Sequence, residues 1–433
     1  MNYVWAVNIF FSASFALVGF LVSHFFLLAI VGAIGKKRFP KAEKKLKYGI
    51  IIPARNEEAV VGALIESIRK SNYPQDMLDV FLVAHNCTDK TAEIGRALGA
   101  IVYEYNNQDE RTMGYAFRYL FGKIKDDYGT ESYDGFFIFN ADNVVANDYF
   151  EKMNDAFVSE NCESVVTSFR NSKNFGDNVI SAMYGLYFMY GCRFEARGRA
   201  VLGLSTRVQG TGYLISSEII KDGWNYVSLT EDWEFTADRL LRGERITYCD
   251  EAVFYDEQPT SLSVMWRQRV RWARGHLLVF ISRYFDILHF LFKRKQRFGA
   301  RKRISVYDLS VNVLPIGIIG AGLAALHFIA LLFCGLIGEY DLTWALRDYL
   351  RAYLISFIYS YITVFASSVA IVFLERRRIP RVKFGVMLSA MIMWPIFILL
   401  AVPCDIAALL GKGQSWQPIP HKSRLKIEDI NAD

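Results

Sequence analysis

Residues 135–143 end a short apolar run in three oxygen-bearing side chains, Asn140, Asp142 and Asn143. Because side chains alternate along a β-strand, a strand that continues through this run places Asn140 and Asp142 on the same side. Amide and carboxylate oxygens are ligands for Mg²⁺ or Mn²⁺, and such a cation neutralises a bound diphosphate. The alternative is a purely structural turn, because Asn and Asp are frequent turn residues.

A second cluster, Thr230, Glu231 and Asp232, begins a segment of helical character. One interpretation is structural: Thr230 caps the helix and the two acids lie on its first turn. The other is chemical, because one well-placed carboxylate is sufficient to remove a proton from a hydroxyl group. Both interpretations are carried forward.

The third cluster contains Gln268, Arg271 and Trp272 within the segment 266–276, where cations, a glutamine and two indole rings follow closely on one another. Guanidinium groups hold phosphate oxygens through paired hydrogen bonds. Indole rings stack on sugars or lie at a membrane surface. The segment is also typical of a basic helix at a membrane interface, and the two roles are compatible.

In this order the three clusters resemble the motifs of family-2 glycosyltransferases of the processive, membrane-integrated kind, which include cellulose, hyaluronan and poly-N-acetylglucosamine synthases. Asp142 matches the second acid of the DxD motif, residues 230–232 match TED, and residues 268–272 match QxxRW. Residues 210–212 resemble the glycine-bearing strip beside the acceptor, and residues 52–57 match the strand and turn that hold the nucleotide.

The resemblance implies an inverting transfer from a UDP-sugar on Mg²⁺ or Mn²⁺, with Asp232 as the base. Arg271 would stabilise the departing diphosphate and Trp272 would pack near the acceptor sugar. The implied catalytic residues are Thr230, Glu231 and Asp232, and the implied metal ligands are Asn140 and Asp142. The implied donor-binding residues are Pro53, Ala54, Arg55, Asn56, Glu57, His85, Asp89, Asp142, Gln268, Arg271 and Trp272. The implied acceptor-binding residues are Gly210, Thr211, Gly212 and Trp272.

Two positions depart from the family's motifs. Asn140 stands in place of the first DxD acid, so one metal ligand lacks a negative charge and the expected affinity for a cation falls. His85 stands where an acid that contacts uracil is expected, while Asp89 is retained. A single histidine is more often structural than ligand-binding, and both roles are kept for His85.

The elements that position these clusters form an alternating pattern. Residues 48–53, 80–84, 100–105 and 135–140 are short apolar runs typical of buried strands, and residues 59–71 and 91–98 are amphipathic helices between them. Strand–helix–strand repetition predicts a mostly parallel sheet with helices on both faces. Ligands of such sheets bind at the carboxyl ends of the strands.

Long apolar segments flank this part of the chain. Residues 4–34 are almost uninterrupted and end at the basic residues 36–38, and further apolar stretches cover 306–338, 353–374 and 384–410. About 20 apolar residues cross a bilayer. The basic residues 36–38 predict that the N-terminus lies outside and the catalytic domain in the cytosol. The acid-bearing loop 339–351 is predicted outside and the basic loop 375–383 in the cytosol. Pro395, Pro403 and Asp405 indicate that the last stretch can end flat at the interface, and the side of the C-terminus is left open.

The predicted fold is α/β: a GT-A domain with a Rossmann-like, mostly parallel sheet, combined with transmembrane and interfacial helices. The predicted regions are an anchor at 1–35, the catalytic domain at 44–260, interfacial helices at 261–303, transmembrane segments at 304–411 and a tail at 412–433. The six cysteines form no CxxC pair, which is typical of a reduced compartment. The net charge of +6 lies beside apolar stretches, which favours a membrane over nucleic acid.

The predicted function is transfer of sugar from a UDP-sugar to a growing β-linked polysaccharide that is passed through the plasma membrane. The alternative is addition of one sugar to a lipid acceptor. A third interpretation, a non-catalytic membrane scaffold or transporter, is disfavoured because Asp142, Asp232 and the QxxRW residues are all present. The predicted partners are the donor, a polysaccharide or lipid-linked acceptor, the lipid bilayer, and an accessory subunit or a second copy of the chain.

Overall fold

The computed structural model describes residues 3–293, 299–338, 341–411, 421, 423 and 425–431. One sheet of eight strands forms the centre of the catalytic domain, in the order β3-β2-β1-β4-β7-β6-β8-β5. The strands are β1 (Tyr48–Ala54), β2 (Leu78–His85), β3 (Ile101–Tyr105), β4 (Gly135–Ile138), β5 (Val144–Val145), β6 (Val165–Ser172), β7 (Tyr213–Ser216) and β8 (Ile246–Asp256).

The first half of the sheet is parallel, since β1 pairs in parallel with β2 and β4, and β2 with β3. β7 is antiparallel to its neighbours β4 and β6, while β6 and β8 are again parallel. The predicted strands and the mostly parallel sheet are confirmed. One boundary was wrong: β4 ends at Ile138, and the backbone N–H of Asn140 donates to Asn143 Oδ1 within a turn. The strand alternation therefore does not extend to Asn140 and Asp142.

Helices cover both faces of the sheet and bury its apolar side chains. They are α3 (Val61–Arg69), α4 (Thr91–Ala97), α5 (Met113–Asp127), α6 (Tyr149–Ser159), α7 (Val179–Tyr190), α8 (Arg197–Leu202), α9 (Ser217–Ile220) and α10 (Glu231–Leu241). A π-helical turn, Gly191–Ala196, joins α7 to α8. Tyr48, Phe137 and Phe150 pack edge to face on one side of the sheet, and Phe121 and Phe136 do so on the other.

Nine further helices come from the flanking apolar and basic segments of the described chain. They are α1 (Tyr3–Val22), α2 (His24–Ile34), α11 (Leu262–Phe292), α12 (Ala300–Val313), α13 (Ile316–Leu336), α14 (Leu342–Leu374), α15 (Phe384–Leu399), α16 (Ala401–Leu410) and α17 (Ile427–Asn431). Five helical stretches are long and apolar enough to cross a membrane: Tyr3–Ile34, Leu262–Phe292, Ile316–Leu336, Leu342–Leu374 and Phe384–Leu410.

Two predictions on this region were wrong. The stretch 306–338 is not one helix, because Leu314 adopts an extended backbone before Pro315, as residues before proline prefer. Most of the predicted loop 339–351 is helical, because Asp341 caps α14 by accepting a hydrogen bond from Trp344 N. The basic stretch 293–303 contains the beginning of α12, and its residues 294–298 lie outside the described residues.

α1, α13 and α14 pack on one another, with Val4 against Leu331, Cys334 and Ala345. α15 instead follows the catalytic domain, because its Trp394 and Phe397 are buried in a cluster with Tyr184 of α7. α16 also returns to the domain, since Arg274 of α11 donates to the carbonyl of Gly411 at 3.2 Å.

Glycines tie the N-terminal helices to the catalytic domain. A Cβ at Gly32 of α2 would lie 2.3 Å from the Arg193 carbonyl oxygen, and one at Gly198 of α8 would lie 2.3 Å from the Leu28 carbonyl oxygen. Small residues at such crossings allow two helical backbones to approach closely. The segment from α7 to α8 is therefore fixed between the membrane helices and the sheet.

Candidate active site

A cavity of about 420 Å³ lies where the sheet, α10 and α11 meet α12 and α16. We call it the reaction cavity. Its wall contains eight of the residues predicted from sequence: Asn140, Gly210, Thr230, Glu231, Asp232, Gln268, Arg271 and Trp272. The structure thus brings together three clusters that are separated by about a hundred and thirty residues of chain.

The TED residues begin α10, with Thr230 at the N-cap position. The predicted cap is wrong in one respect: the Thr230 side chain makes no capping hydrogen bond, and its Oγ1 is buried without a partner among the described residues. Glu231 and Asp232 lie on the first turn, where the positive end of the helix dipole stabilises negative charge. A helix start is therefore used here to hold two acids inside a cavity.

Burial raises the pKa of both acids. The pKa of Asp232 is about 6, because backbone N–H groups and the nearby Arg271 and Arg170 limit the effect of burial. The pKa of Glu231 is raised further, since the neighbouring Asp232 carboxylate adds to the effect of burial. Of the two acids, Asp232 therefore loses its proton at the lower pH.

α11 supplies the QxxRW residues from one face, since positions 268, 271 and 272 are spaced by three and four residues. Gly275 permits this approach: a Cβ there would lie 2.1 Å from Thr230 Cγ2. Gln268 Oε1 is buried without a partner among the described residues, so it is available to a ligand.

An aromatic floor in the wall of the reaction cavity is made by Trp272, Tyr187 and Phe188, with the fully buried Tyr184 packed behind them. The rings of Trp272 and Tyr187 are stacked, with centroids 6.5 Å apart and planes at 20°. Trp272 meets Tyr184 and Phe188 edge to face. Such a surface binds the apolar face of a sugar ring.

Asp142 lies at the other end of the site, next to the carboxyl end of β8. Its Oδ2 accepts a hydrogen bond from Glu257 N at 2.9 Å and its Oδ1 accepts one from Asn143 Nδ2 at 3.2 Å. Asn140 Oδ1 is buried without a partner among the described residues. The described residues contain no group of three or more His, Cys, Asp or Glu side chains placed around a metal position. A cation at Asp142 and Asn140 therefore fits only if a ligand completes its coordination.

The predicted nucleotide turn is held by its own hydrogen bonds. Asn56 has a positive φ of 57° and its Oδ1 accepts from Thr88 N at 2.8 Å. Asp89 accepts from Glu58 N at 3.0 Å and from Thr91 N at 3.0 Å. These contacts shape the ends of β1 and β2, and Pro53 and Ala54 lie on the final residues of β1.

His85 is buried and stacked on Tyr105, with ring centroids 5.2 Å apart. Arg55 Nε donates to the His85 carbonyl oxygen at 3.0 Å. Burial and the charge of Arg55 lower the pKa of His85 to about 4, so the ring is neutral near pH 7. These contacts fit the structural interpretation of His85, and a role in nucleotide binding stays a prediction.

Two of the predicted acceptor residues, Thr211 and Gly212, lie behind the cavity wall. Thr211 Oγ1 accepts from Asn140 N at 2.9 Å, and a Cβ at Gly212, whose φ is +67°, would lie 2.0 Å from Phe254. Gly210 borders the cavity itself and also has a positive φ, of 77°. The strip therefore supports the turn at Asn140 as well as the cavity.

Sequence reasoning missed several residues of the site because they belong to no motif. Arg170 and Gln209 line the reaction cavity, and Asp256 forms an ion pair with Arg170. For Asp256 the only signal in the sequence was its position, because it ends an apolar strand, just as Asp142 follows another apolar strand. Gly275 gave no signal, because a glycine within a basic helical segment reveals no packing partner.

The C-terminal tail also reaches the site. His421 Nδ1 lies 2.9 Å from Glu57 Oε1, and its Nε2 lies 3.9 Å from Asp142 Oδ2. Ser423 N donates to Glu257 Oε2 at 2.8 Å. The described tail residues therefore lie against the catalytic domain, and the side of the membrane on which the C-terminus lies stays a prediction.

A GT-A sheet with a carboxylate at a strand end, two acids at a helix start and a QxxRW helix defines a nucleotide-sugar-dependent glycosyltransferase. Residues 46–275 match the family described as "Glycosyltransferase like family 2". The chain belongs to this family and is a glycosyltransferase. This match gives the family and does not distinguish the processive subtype from enzymes that add a single sugar.

The chain is similar to curated glycosyltransferases. It is 27% identical over 278 residues to beta-monoglucosyldiacylglycerol synthase of Nostoc sp., covering 61% of this chain and 56% of that protein. It is 24% identical over 244 residues to poly-beta-1,6-N-acetyl-D-glucosamine synthase of Staphylococcus epidermidis, covering 54% of this chain and 56% of that protein. The chain thus spans a little over half the length of these relatives.

The fold is similar to that of the mannosyltransferase PcManGT from Pyrobaculum calidifontis, solved in complex with GDP-Man and Mn²⁺. The TM-score is 0.58 at 13% identity, and the match covers 95% of this chain and 100% of the other. The likeness therefore includes the flanking helices as well as the GT-A domain.

Proposed function

We propose that the protein transfers one sugar from a UDP-sugar, with inversion, to a hydroxyl group of a lipid-borne acceptor at the cytosolic face of the plasma membrane. One observation carries the choice of acceptor. A second cavity of about 180 Å³, lined by residues 313–317 at the beginning of α13, shares Ala273, His276 and Asp405 with the reaction cavity. The space around Asp232 thus continues toward a membrane helix, from which a lipid headgroup can enter.

The chemistry follows from the placement of the two acids and Arg271. Asp232 removes the proton from the acceptor hydroxyl while the oxygen of that hydroxyl bonds to the anomeric carbon of the donor. The bond from that carbon to the diphosphate breaks on the opposite face, so an α-linked donor gives a β-linked product and UDP. Arg271 stabilises the negative charge that develops on the diphosphate, and this stabilisation of the leaving group is where such a site gains most.

Asn140 and Asp142 are the proposed ligands of Mg²⁺ or Mn²⁺, since Asn140 Oδ1 lacks a partner among the described residues and the diphosphate can complete the coordination. The bound cation supplies positive charge to the leaving diphosphate. The Mn²⁺ and nucleotide sugar of the PcManGT complex support this proposal.

The proposed topology has three crossings: α1 with α2, α13, and α14. Basic residues 36–38 and 376–378 follow the first and third crossings, which favours the cytosol for the catalytic domain. We assign α11, α15 and α16 to the interface, because Trp394 and Phe397 of α15 are buried against α7 of the domain and Cys404 of α16 packs on α11. By length and composition, Leu262–Phe292 and Phe384–Leu410 are also long enough to cross.

A second candidate is the polymerising synthase that the motif resemblance favours. The aromatic floor of Trp272, Tyr187 and Phe188 supports it, because such rings bind a sugar at the end of a growing chain. The similarity to poly-beta-1,6-N-acetyl-D-glucosamine synthase also supports it.

The test uses purified protein in nanodiscs, with a panel of radiolabelled UDP-sugars, Mn²⁺ or Mg²⁺, and added membrane lipids. We expect a labelled lipid that carries one sugar, and UDP release that Asp232→Asn reduces by about 10²–10⁴-fold. Asp238→Asn is the matched control, because Asp238 lies on the same helix and contacts Tyr226, Arg239 and Arg242 away from the cavity. A long polymer would replace the proposal by the second candidate, and no transfer from any donor would contradict both.

A further inference from the structure

Arg170, near the end of β6, is a largely buried arginine that joins the two halves of the site. Its Nε donates to Asp256 Oδ2 at 2.8 Å and its Nη1 donates to the Gln209 carbonyl oxygen at 3.0 Å. Its guanidinium also lies 3.6 Å from the ring centroid of Phe188. One side chain thus contacts the end of β8, the residue that precedes the acceptor strip, and the aromatic floor.

These contacts place Arg170 between the donor and acceptor ends. Asp256 is followed by Glu257, whose N–H binds Asp142, and Gln209 is followed by Gly210 in the wall beside Asp232. Only a guanidinium group can donate in several fixed directions at once, so lysine would keep the charge without the bridge.

We propose that Arg170 is a positioning residue of the transfer reaction: it fixes the acceptor strip to the metal end of the site and holds a positive charge beside Asp232. The inference rests on the proposed function and deepens it. Other charged or titratable groups around Asp232 are Glu231 on its own helix and Arg269, Arg271 and His276 on α11. Glu195, Arg207, Asp405 and Tyr213 face the two acids from the remaining walls.

The test compares Arg170→Met and Arg170→Lys with Arg378→Met. Arg378 is a matched control, because it also pairs with a buried carboxylate, Asp250, and lies 4.0 Å from the ring centroid of Phe169, but it does not line the reaction cavity. Each variant is assayed for kcat and KM across pH, and thermal unfolding is measured for all of them.

For Arg170→Met we expect the acidic limb of kcat to move about one unit to higher pH. The change in ionisation of Asp232 alone then makes kcat about eightfold lower than in the wild type at pH 5.5. At pH 8 the same change leaves kcat nearly unaffected. Arg170→Lys should keep the limb and raise the KM for the acceptor. Arg378→Met should lower thermal stability without moving the limb. An unmoved limb in Arg170→Met, or the same shift in Arg378→Met, would overturn the inference.

A second readout does not depend on turnover. Carbodiimide modifies protonated carboxyl groups, so mass spectrometry of the peptide that contains Asp232 gives its midpoint pH in each variant. A midpoint pH of Asp232 that rises in Arg170→Met but not in Arg378→Met supports the placement of the Arg170 charge. If the midpoint rises in this way but no sugar transfer is found, only the proposed function fails. Equal midpoints in all variants would contradict the inference.

Discussion

At the scale of single residues, the site depends on two neighbouring acids, Glu231 and Asp232, whose pKa values are raised by different amounts. Glu231 and Asp232 share one cavity, but the pKa of Asp232 stays closer to its ordinary value, because backbone N–H groups and arginines oppose the effect of burial. Two adjacent carboxyl groups with pKa values pushed apart are a recurrent device of enzymes that work as acid–base catalysts.

The first prediction is a pH dependence. Asp232 must be ionised to accept a proton, and its raised pKa of about 6 means that kcat falls as pH decreases through 6. The ordinary pKa of an aspartate would place this limb near pH 4. A kcat–pH profile between pH 4.5 and 8.5 at saturating donor measures the limb. A flat profile down to pH 4.5 would contradict the raised pKa of Asp232.

The second prediction concerns the amide in the metal motif. Asn140→Asp adds a negative charge beside Asp142, and we expect roughly tenfold tighter Mn²⁺ binding in the presence of UDP, because cation affinity rises with the number of charged ligands. Asp142→Asn should weaken binding. Isothermal titration with Mn²⁺ and UDP measures both variants. An unchanged affinity in Asn140→Asp would place the cation away from residue 140.

At the scale of elements, the base is positioned by the contact between α10 and α11. This contact places the TED turn against the QxxRW face, and it depends on a single missing side chain at Gly275. The ends of these helices are fixed differently: Ser261 caps α11 through its Oγ, whereas the Thr230 hydroxyl makes no cap bond at α10.

The third prediction tests this contact with Gly275→Ala. The added methyl group would lie 2.1 Å from Thr230 Cγ2, so α11 must move away from the TED turn. We expect a loss of about 1–3 kcal/mol in the free energy of unfolding and a lower kcat, measured by thermal unfolding and by the transfer assay.

Gly122→Ala is the control, because Gly122 lies within α5 and a Cβ there meets nothing within 4 Å. Its replacement should stabilise the protein by about 0.5–1 kcal/mol, the usual difference between glycine and alanine in a helix. Equal effects of the two substitutions would show that the approach of α11 to Thr230 is not tight.

At the scale of the whole molecule, several of the flanking apolar helices pack against the catalytic domain. α2 crosses α8 at glycines, α15 packs on α7, and α16 borders the reaction cavity. A buried ion pair between Arg199 and Asp308 adds a further link, with His24 of α2 on the same carboxylate. The reaction cavity is therefore completed by membrane-associated helices.

The fourth prediction tests the three-crossing topology. Thr343→Cys at the beginning of α14 should react with a membrane-impermeant thiol reagent in intact cells, whereas Ser423→Cys in the tail should react only after permeabilisation. The wild type is the control, because Cys87 and Cys162 in the catalytic domain are partly exposed and should stay unlabelled in intact cells. Labelling of Ser423→Cys in intact cells would contradict the placement of the tail beside the domain.

The sequence by itself determined four of the eight strands, the class of fold and the residues of the three motifs. Apolar runs such as 48–53 can be recognised because a buried strand has no polar face, and the acids of the TED segment can be recognised because they begin a helix. The tertiary structure was needed for the site's other members. Arg170, Gln209 and Gly275 join it through contacts between elements far apart in the chain, which no local pattern records.

Tertiary structure alone decided which side chains of the apolar segments pack on protein. Composition makes Phe384–Leu410 as suitable for crossing a membrane as Ile316–Leu336, since both have a mean hydropathy of 2.3, while Leu262–Phe292 has a mean hydropathy of 1.3. Their role depends on what covers their apolar faces, which is protein for Trp394 and Phe397. Hydropathy measures the transfer of a side chain out of water and is the same for a lipid or a protein partner, so only the packed structure distinguishes the two.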